Sequence, residues 1–203
     1  MKRVDQQRKR KKKKVKSHFV YKGESVVIDF YAYGKSLSHR RSEDYNPLAV
    51  VVTVEWFQFF DVILINRSKI SIGDHLLLSS TNKSILRLNK LHYNQLSSSA
   101  LEILPVIVKE IVTTFESRYV AFFNRAQPLT TQMHQIQLLP GIGQKRLWSI
   151  LKARKNDLFS SFSDFTKRTG ISDPISIFTN RILLELEGVS KYYLFTKKSL
   201  QHD

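Results

Sequence analysis

Cysteine is absent from all 203 residues. Without it the chain has no disulfide framework, no thiolate nucleophile, no iron–sulfur cluster and no cysteine-based zinc site. The absence fits a reducing interior, and the cytoplasm is the expected location. Long apolar runs are missing too. The most apolar stretch, Leu48 to Ile65, is interrupted by Glu55, Gln58 and Asp61, and its valines and phenylalanines read as two strands rather than a membrane span. The basic segment RKRKKKKVK runs into Ser17-His18-Phe19 with no apolar stretch behind it, so no signal peptide is expected. The six histidines show no ligand spacing, and no nucleophile elbow or phosphate-binding Walker loop occurs. No metal, no cofactor and no catalytic group is expected on these grounds.

Acidic residues are also scarce, 17 against 33 Lys and Arg, for a net charge of +16. The excess is unevenly placed: residues 1–16 hold ten basic residues and Asp5, a charge of +9, and the rest of the chain carries +7. A polyanion is the natural partner, because each cation laid against a phosphate releases a condensed counterion. A solubilising tail is the plainer alternative. The basic body beneath the tail favours the polyanion.

Along the chain, residues 1–17 are too polar and self-repelling to order and read as a disordered basic tail. Residues 18–96 read as β structure. Val26–Tyr33 is a strand ending at Gly34, Leu48–Val54 and Phe57–Ile65 form a hairpin, and Leu76–Leu78 and Ile85–Leu88 complete five. Five short strands in this length suggest a small OB-like β-barrel. The period then changes. Leu101, Leu104, Val108, Ile111, Phe115, Tyr119 and Phe122 recur at steps of three and four, giving one long connecting helix within 97–126 that starts or kinks near Pro105. Ser99 and Glu102 have capping-box spacing. Residues 127–190 read as short helices: one capped by Thr130 or Thr131, one after the glycines, one anchored by Phe162 and Phe165, and one capped by Asp173 with Pro174 at its first position. Residues 191–203 read as a strand, KYYLF, and a tail. The fold class expected is α+β.

Two of only seven glycines fall in one segment, LLPGIGQKRLW, between two stretches of helical period. A helix-to-helix turn needs one glycine at most. The segment resembles a helix-hairpin-helix motif, whose turn leaves the amides of Gly141, Gly143 and the next helix's first residues at the positive end of the dipole. Such amides bind a phosphate oxygen, and a missing Cβ lets the phosphodiester approach. Ile142 would lock the crease between the helices, with Gln144, Lys145 and Arg146 at the rim. Amides read phosphate and not base, so binding is expected to be independent of sequence. The segment Thr169-Gly170-Ile171-Ser172 reads as a second, degenerate copy with a structural role.

The order Asp29-Phe-Tyr-Ala-Tyr-Gly34, Phe122-Phe-Asn-Arg-Ala126, Thr-Gln-Met-His134, LLPGIGQK, Phe159-Ser-Ser-Phe162, Arg181-Ile-Leu-Leu-Glu-Leu-Glu-Gly188 and KYYLF resembles an archaeal family of uncharacterised proteins, a domain of unknown function. The resemblance covers essentially everything after the tail. It implies an OB-like or S1-like barrel joined to helix-hairpin-helix repeats, and a nucleic-acid-binding role.

The expected binding residues are Gly141, Ile142, Gly143, Gln144, Lys145 and Arg146 at the hairpin and Arg10, Lys11, Lys12, Lys13 and Lys14 in the tail. On the barrel they are Tyr31 and Tyr33 beside Lys35, Arg40 and Arg41, where outward tyrosines could stack unpaired bases. Barrel filling is an equally good reading of both. The expected function is a non-enzymatic binder of RNA or DNA, with RNA, ribosomal RNA included, slightly favoured and no membrane partner. Two alternatives stand beside it. The hairpin also resembles that of DNA glycosylases, with Lys145 as nucleophile and Asp164 as its acid, and the chain could instead be a protein-assembly adaptor.

Overall fold

A computed structural model describes residues 21–34, 46–65 and 70–198. Five strands, β1 (Gly23–Tyr31), β2 (Leu48–Thr53), β3 (Phe59–Leu64), β4 (His75–Leu78) and β5 (Ile85–Leu91), form one antiparallel sheet in the order β4-β1-β2-β3-β5. Alternation along β1 and β2 decides the packing. Val26, Ile28, Leu48, Val50 and Val52 face the helices, while Val27, Ala49 and Val51 join Phe60, Val62, Leu64, Leu78 and Ile85 on the opposite side. A sheet buried on both faces needs a second cover, and here it curls over itself. The bulge between Val27 and Asp29 adds local twist. The result is a curled half-barrel. Its edge strands β4 and β5 do not pair with each other among the described residues.

Five helices follow: α1 (Ser98–Thr114), α2 (Glu116–Arg125), α3 (Gln144–Asn156), α4 (Phe162–Thr169) and α5 (Pro174–Leu186). The expected single connecting helix is two, broken at Phe115 (φ −102°, ψ 37°). Its cap is Ser97, whose hydroxyl accepts the Ala100 amide at 3.1 Å, in place of Ser99. Pro105 lies inside α1 with its ring exposed. The proline leaves the Leu101 carbonyl without its helical donor.

One cluster of buried side chains runs from Val26 and Val50 through Leu104, Val108 and Ile111 to Phe178 and Phe195, so the half-barrel and helices share a core. Its helical end is aromatic: Phe123 stacks on Phe165 at 3.9 Å between ring centroids, and Tyr119, Phe159, Phe162 and Phe178 close around them. The expected strand KYYLF forms no strand. The amides of Leu194, Phe195 and Thr196 are instead taken by the carboxylate of Glu185 on α5. The helix expected at 130–139 is a turn followed by a single 3-10 turn, Gln135–Leu138, with the buried His134 as its cap in place of either threonine.

Candidate nucleic-acid interface

Two packing residues set the glycine turn. Leu139 and Ile142 are buried and the Ile142 amide donates to the Leu139 carbonyl, so the backbone between them must bend outward. Gly141 makes that bend at φ 76°, in the left-handed region that favours glycine. Its carbonyl accepts from Arg146 Nη1 at 2.8 Å. From behind, Arg181 Nη1 holds the Leu138 carbonyl at 3.1 Å. The turn is thereby pinned at both ends.

Gly143 differs from Gly141. It caps α3 with extended backbone (φ −84°, ψ −177°), a conformation open to any residue, and a Cβ built there meets none of the described residues within 4 Å. Neither strain nor crowding inside the protein calls for glycine at this position. With no side chain at the cap, the first-turn amides of α3 are left for an outside acceptor. Gly141, Gly143, Gln144, Lys145 and Arg146 are all exposed, whereas Ile142 is the anchor beneath them. Gln144 accepts a hydrogen bond from Gln137 at 2.9 Å.

The second turn shows the contrast. Gly170 (φ 70°) and buried Ile171 repeat the first bend, but the cap of α5 is Asp173, whose carboxylate accepts the Ser176 amide at 3.1 Å. Hydrogen bonds from Ser176, aided by the charge of Lys109, hold the Asp173 carboxyl below its usual value. A carboxylate fills the seat that the first turn leaves open.

The arginines of the helical half are largely consumed by structure. Arg154 donates to the carbonyls of Phe123 and Ala126 at the end of α2, each at 2.9 Å. Arg168 takes the carbonyls of Ala153, Asp157 and Leu158 at the end of α3 and covers the Phe159 ring. Arg118 binds the carbonyls of Val54 and Glu55 and lies over Trp56. These are cations at helix C-termini and turn carbonyls, where orphan acceptors collect. Composition alone counts them as charge for a partner. The outward charge of α3 comes from lysines: Lys145, Lys152 and Lys155 are exposed.

On the half-barrel, Tyr33 is 62% exposed, but Tyr31 is half-buried and its hydroxyl donates to Asp29 Oδ2 at 2.6 Å. Asp29 also accepts from Ser97 and Ser99, tying β1 to the start of α1. Burial opposes its charge, yet these hydroxyls and the Phe30 amide prevail and hold the Asp29 carboxyl below its usual value. The Tyr31 hydroxyl is therefore engaged at the junction, and Tyr33 is the exposed member of the pair. The one sequence signal was the spacing Asp29-x-Tyr31, which places both side chains on one face of a strand. Lys35, Arg40 and Arg41, and the tail residues Arg10, Lys11, Lys12, Lys13 and Lys14, lie outside the described residues. Asp164 accepts the Ser160 amide at 3.0 Å and pairs with Arg168 at 3.2 Å, which commits it to the start of α4.

Among the described residues no group of three or more His, Asp or Glu could hold a metal ion, and no helix is long and apolar enough to cross a membrane. A cleft of about 860 Å³ lies between β5 and the end of α5, lined by Lys90, His92, Tyr93, Glu187, Tyr193 and Lys197 among others.

Residues 21–197 match the family model described as a protein of unknown function (DUF655). An uncharacterised protein of Methanocaldococcus jannaschii, MJ0038, is 42% identical over 107 residues, 52% of this chain and 49% of that protein. The chain thus aligns with about half the length of that curated relative. The crystal structure of Af1531 from Archaeoglobus fulgidus, which carries the same family description, superposes with a TM-score of 0.76 at 32% identity, over 86% of this chain and 99% of that one.

Proposed function

This chain belongs to the DUF655 family of proteins of unknown function, and on that premise we propose that it binds nucleic acid through the backbone amides of a helix-hairpin-helix turn at Leu139–Arg146. The observation that carries this reading is Gly143, a glycine that the fold does not need, placed at an open helix start. A missing side chain with no internal reason is accounted for by a close external approach. The ligand is a phosphate oxygen, because the dipole and the rim cations Lys145 and Arg146 favour an anion.

The contact is with phosphate rather than base, so recognition is independent of sequence and the role is binding rather than catalysis. RNA is the favoured polymer and DNA the other, with a ribonucleoprotein such as the ribosome as a setting. The OB-like reading of the half-barrel and the basic arm at residues 8–14 would add contacts to the same strand.

The test is fluorescence anisotropy of the full chain with labelled RNA and DNA of unrelated sequences across a salt series. Engagement of about six phosphates gives a log–log slope of roughly −5 on duplex DNA, with affinities close to equal across sequences. Binding that ignores salt, or that vanishes for all but one sequence, contradicts the reading.

A further inference from the structure

The exposed face of α3 carries an unassigned aromatic. Trp148 is 61% exposed and, among the described residues, makes no ring contact, cation–π contact or hydrogen bond. Helical spacing places Lys145 three residues before it, Lys152 four after it and Lys155 seven after it, all exposed, while Leu147 and Ile150 are buried. From Gln144 to Asn156 the helix holds five basic residues and no acidic one. Arg154 is turned inward and Arg146 is tied to the turn, so the face is a flat aromatic ring framed by lysine ammonium groups with no internal counterion on the helix.

We propose that this face stacks an unpaired nucleobase on Trp148 while Lys145 and Lys152 hold the flanking phosphates. The proposal rests on the phosphate reading of the adjacent turn and adds a substrate class to it: single strands, or helices with an extruded nucleotide, bind better than blunt duplexes. Charge complementarity argues for nucleic acid over a protein partner, since an aromatic flanked by lysines on a helix without an acidic residue matches a base between two phosphates. Base–aromatic stacking tolerates any base, so sequence independence is preserved. In a closed duplex the base faces are occupied by their neighbours, and Trp148 has nothing to stack on.

The experiment compares oligouridine and oligothymidine of about a dozen nucleotides with blunt RNA and DNA duplexes of equal length, using the full chain. Trp148→Ala is expected to weaken single-strand binding about tenfold or more, leave duplex binding within about twofold, and be largely rescued by Trp148→Phe. In a Trp56→Phe background, where Trp148 is the sole tryptophan, either single strand quenches the fluorescence and neither duplex does. Because Trp148 is exposed, the unfolding midpoint of Trp148→Ala stays near that of the wild type. Unchanged single-strand affinity in Trp148→Ala, or an equal loss on duplexes, overturns the stacking proposal. If Gly143→Asp still abolishes binding in that case, the phosphate reading stands alone. Salt-insensitive or absent binding of the wild type to every probe defeats both.

Discussion

Arg181 and Glu185, one turn apart on α5, form a buried ion pair with Nε and Oε1 at 2.9 Å, and each also fastens the C-terminal segment. Arg181 donates to the carbonyls of Leu138 and Tyr192, while Glu185 accepts the amides of Leu194, Phe195 and Thr196 and the Thr196 hydroxyl. One pair thus joins the start of the glycine turn to the C-terminal segment.

Breaking that pair leaves a buried guanidinium and three orphan amides. Glu185→Ala is expected to cost about 3–5 kcal/mol, read as a lower urea midpoint with an unchanged slope. Nucleic-acid affinity should fall as well, because Arg181, which tethers the Leu138 carbonyl, loses the carboxylate that positions it. A loss under about 1 kcal/mol would mean that the pair is not what holds the segment.

Gly143→Asp separates stability from binding. Aspartate is a good helix cap and favours the positive helix end, so the unfolding free energy should hold or rise by a few tenths of a kcal/mol. The carboxylate then occupies the amides and repels phosphate, as Asp173 does at the second turn. Affinity for every nucleic-acid probe should drop sharply while the thermal midpoint does not. Retained affinity refutes the open-seat account of this turn.

His134 makes stability depend on pH. Burial, and then the charge of Arg154, hold its imidazole below the ordinary histidine value. Its Nδ1 accepts the Ile136 amide at 3.2 Å, which requires that nitrogen to be unprotonated. The unfolded chain therefore takes up a proton at higher pH than the folded protein, and stability falls as pH drops below about 6.5, levelling off beneath the folded-state value. His134→Asn should lose this part of the slope in denaturation series between about pH 7 and pH 5. A slope identical to wild type would assign the dependence to another group.

Tyr119 carries a buried hydroxyl with no hydrogen-bond partner among the described residues, and burial pushes its pKa to about 12 despite the opposing charge of Arg118. Tyr119→Phe keeps the ring contacts with Phe178 and Phe195 and removes the unsatisfied group. It is expected to be neutral or to stabilise by about 1 kcal/mol in thermal or urea unfolding. A clear destabilisation would reveal a bound water or other partner at that hydroxyl.

Much of this architecture is legible locally. The β-branched runs at Val26–Ile28 and Leu48–Val52 mark strands, and Asp173-Pro174 with Gly188 brackets α5. The bend at Gly141 follows from LPGIG. Other features were not legible because their partners are distant in sequence. Ser97 rather than Ser99 caps α1 while its hydroxyl reaches Asp29, 68 residues away. KYYLF has the composition of a strand, yet its amides find a carboxylate before they find a sheet edge. Tyr31 has the alternation of an outward residue, yet Asp29 claims its hydroxyl.

What the amino-acid order determined alone is the division into a β half and a helical half, the apolar faces of each element, and an excess of positive charge. These depend on neighbours two to four residues apart, which the chain carries wherever it goes. Tertiary structure alone decided which cations stay exposed. Arg118, Arg154, Arg168 and Arg181 turn inward to carbonyls between 10 and 64 residues away, while Lys145, Lys152 and Lys155 stay outside. A carbonyl left over at a helix end or turn takes whatever donor the fold brings to it, and that donor cannot be known until the fold exists.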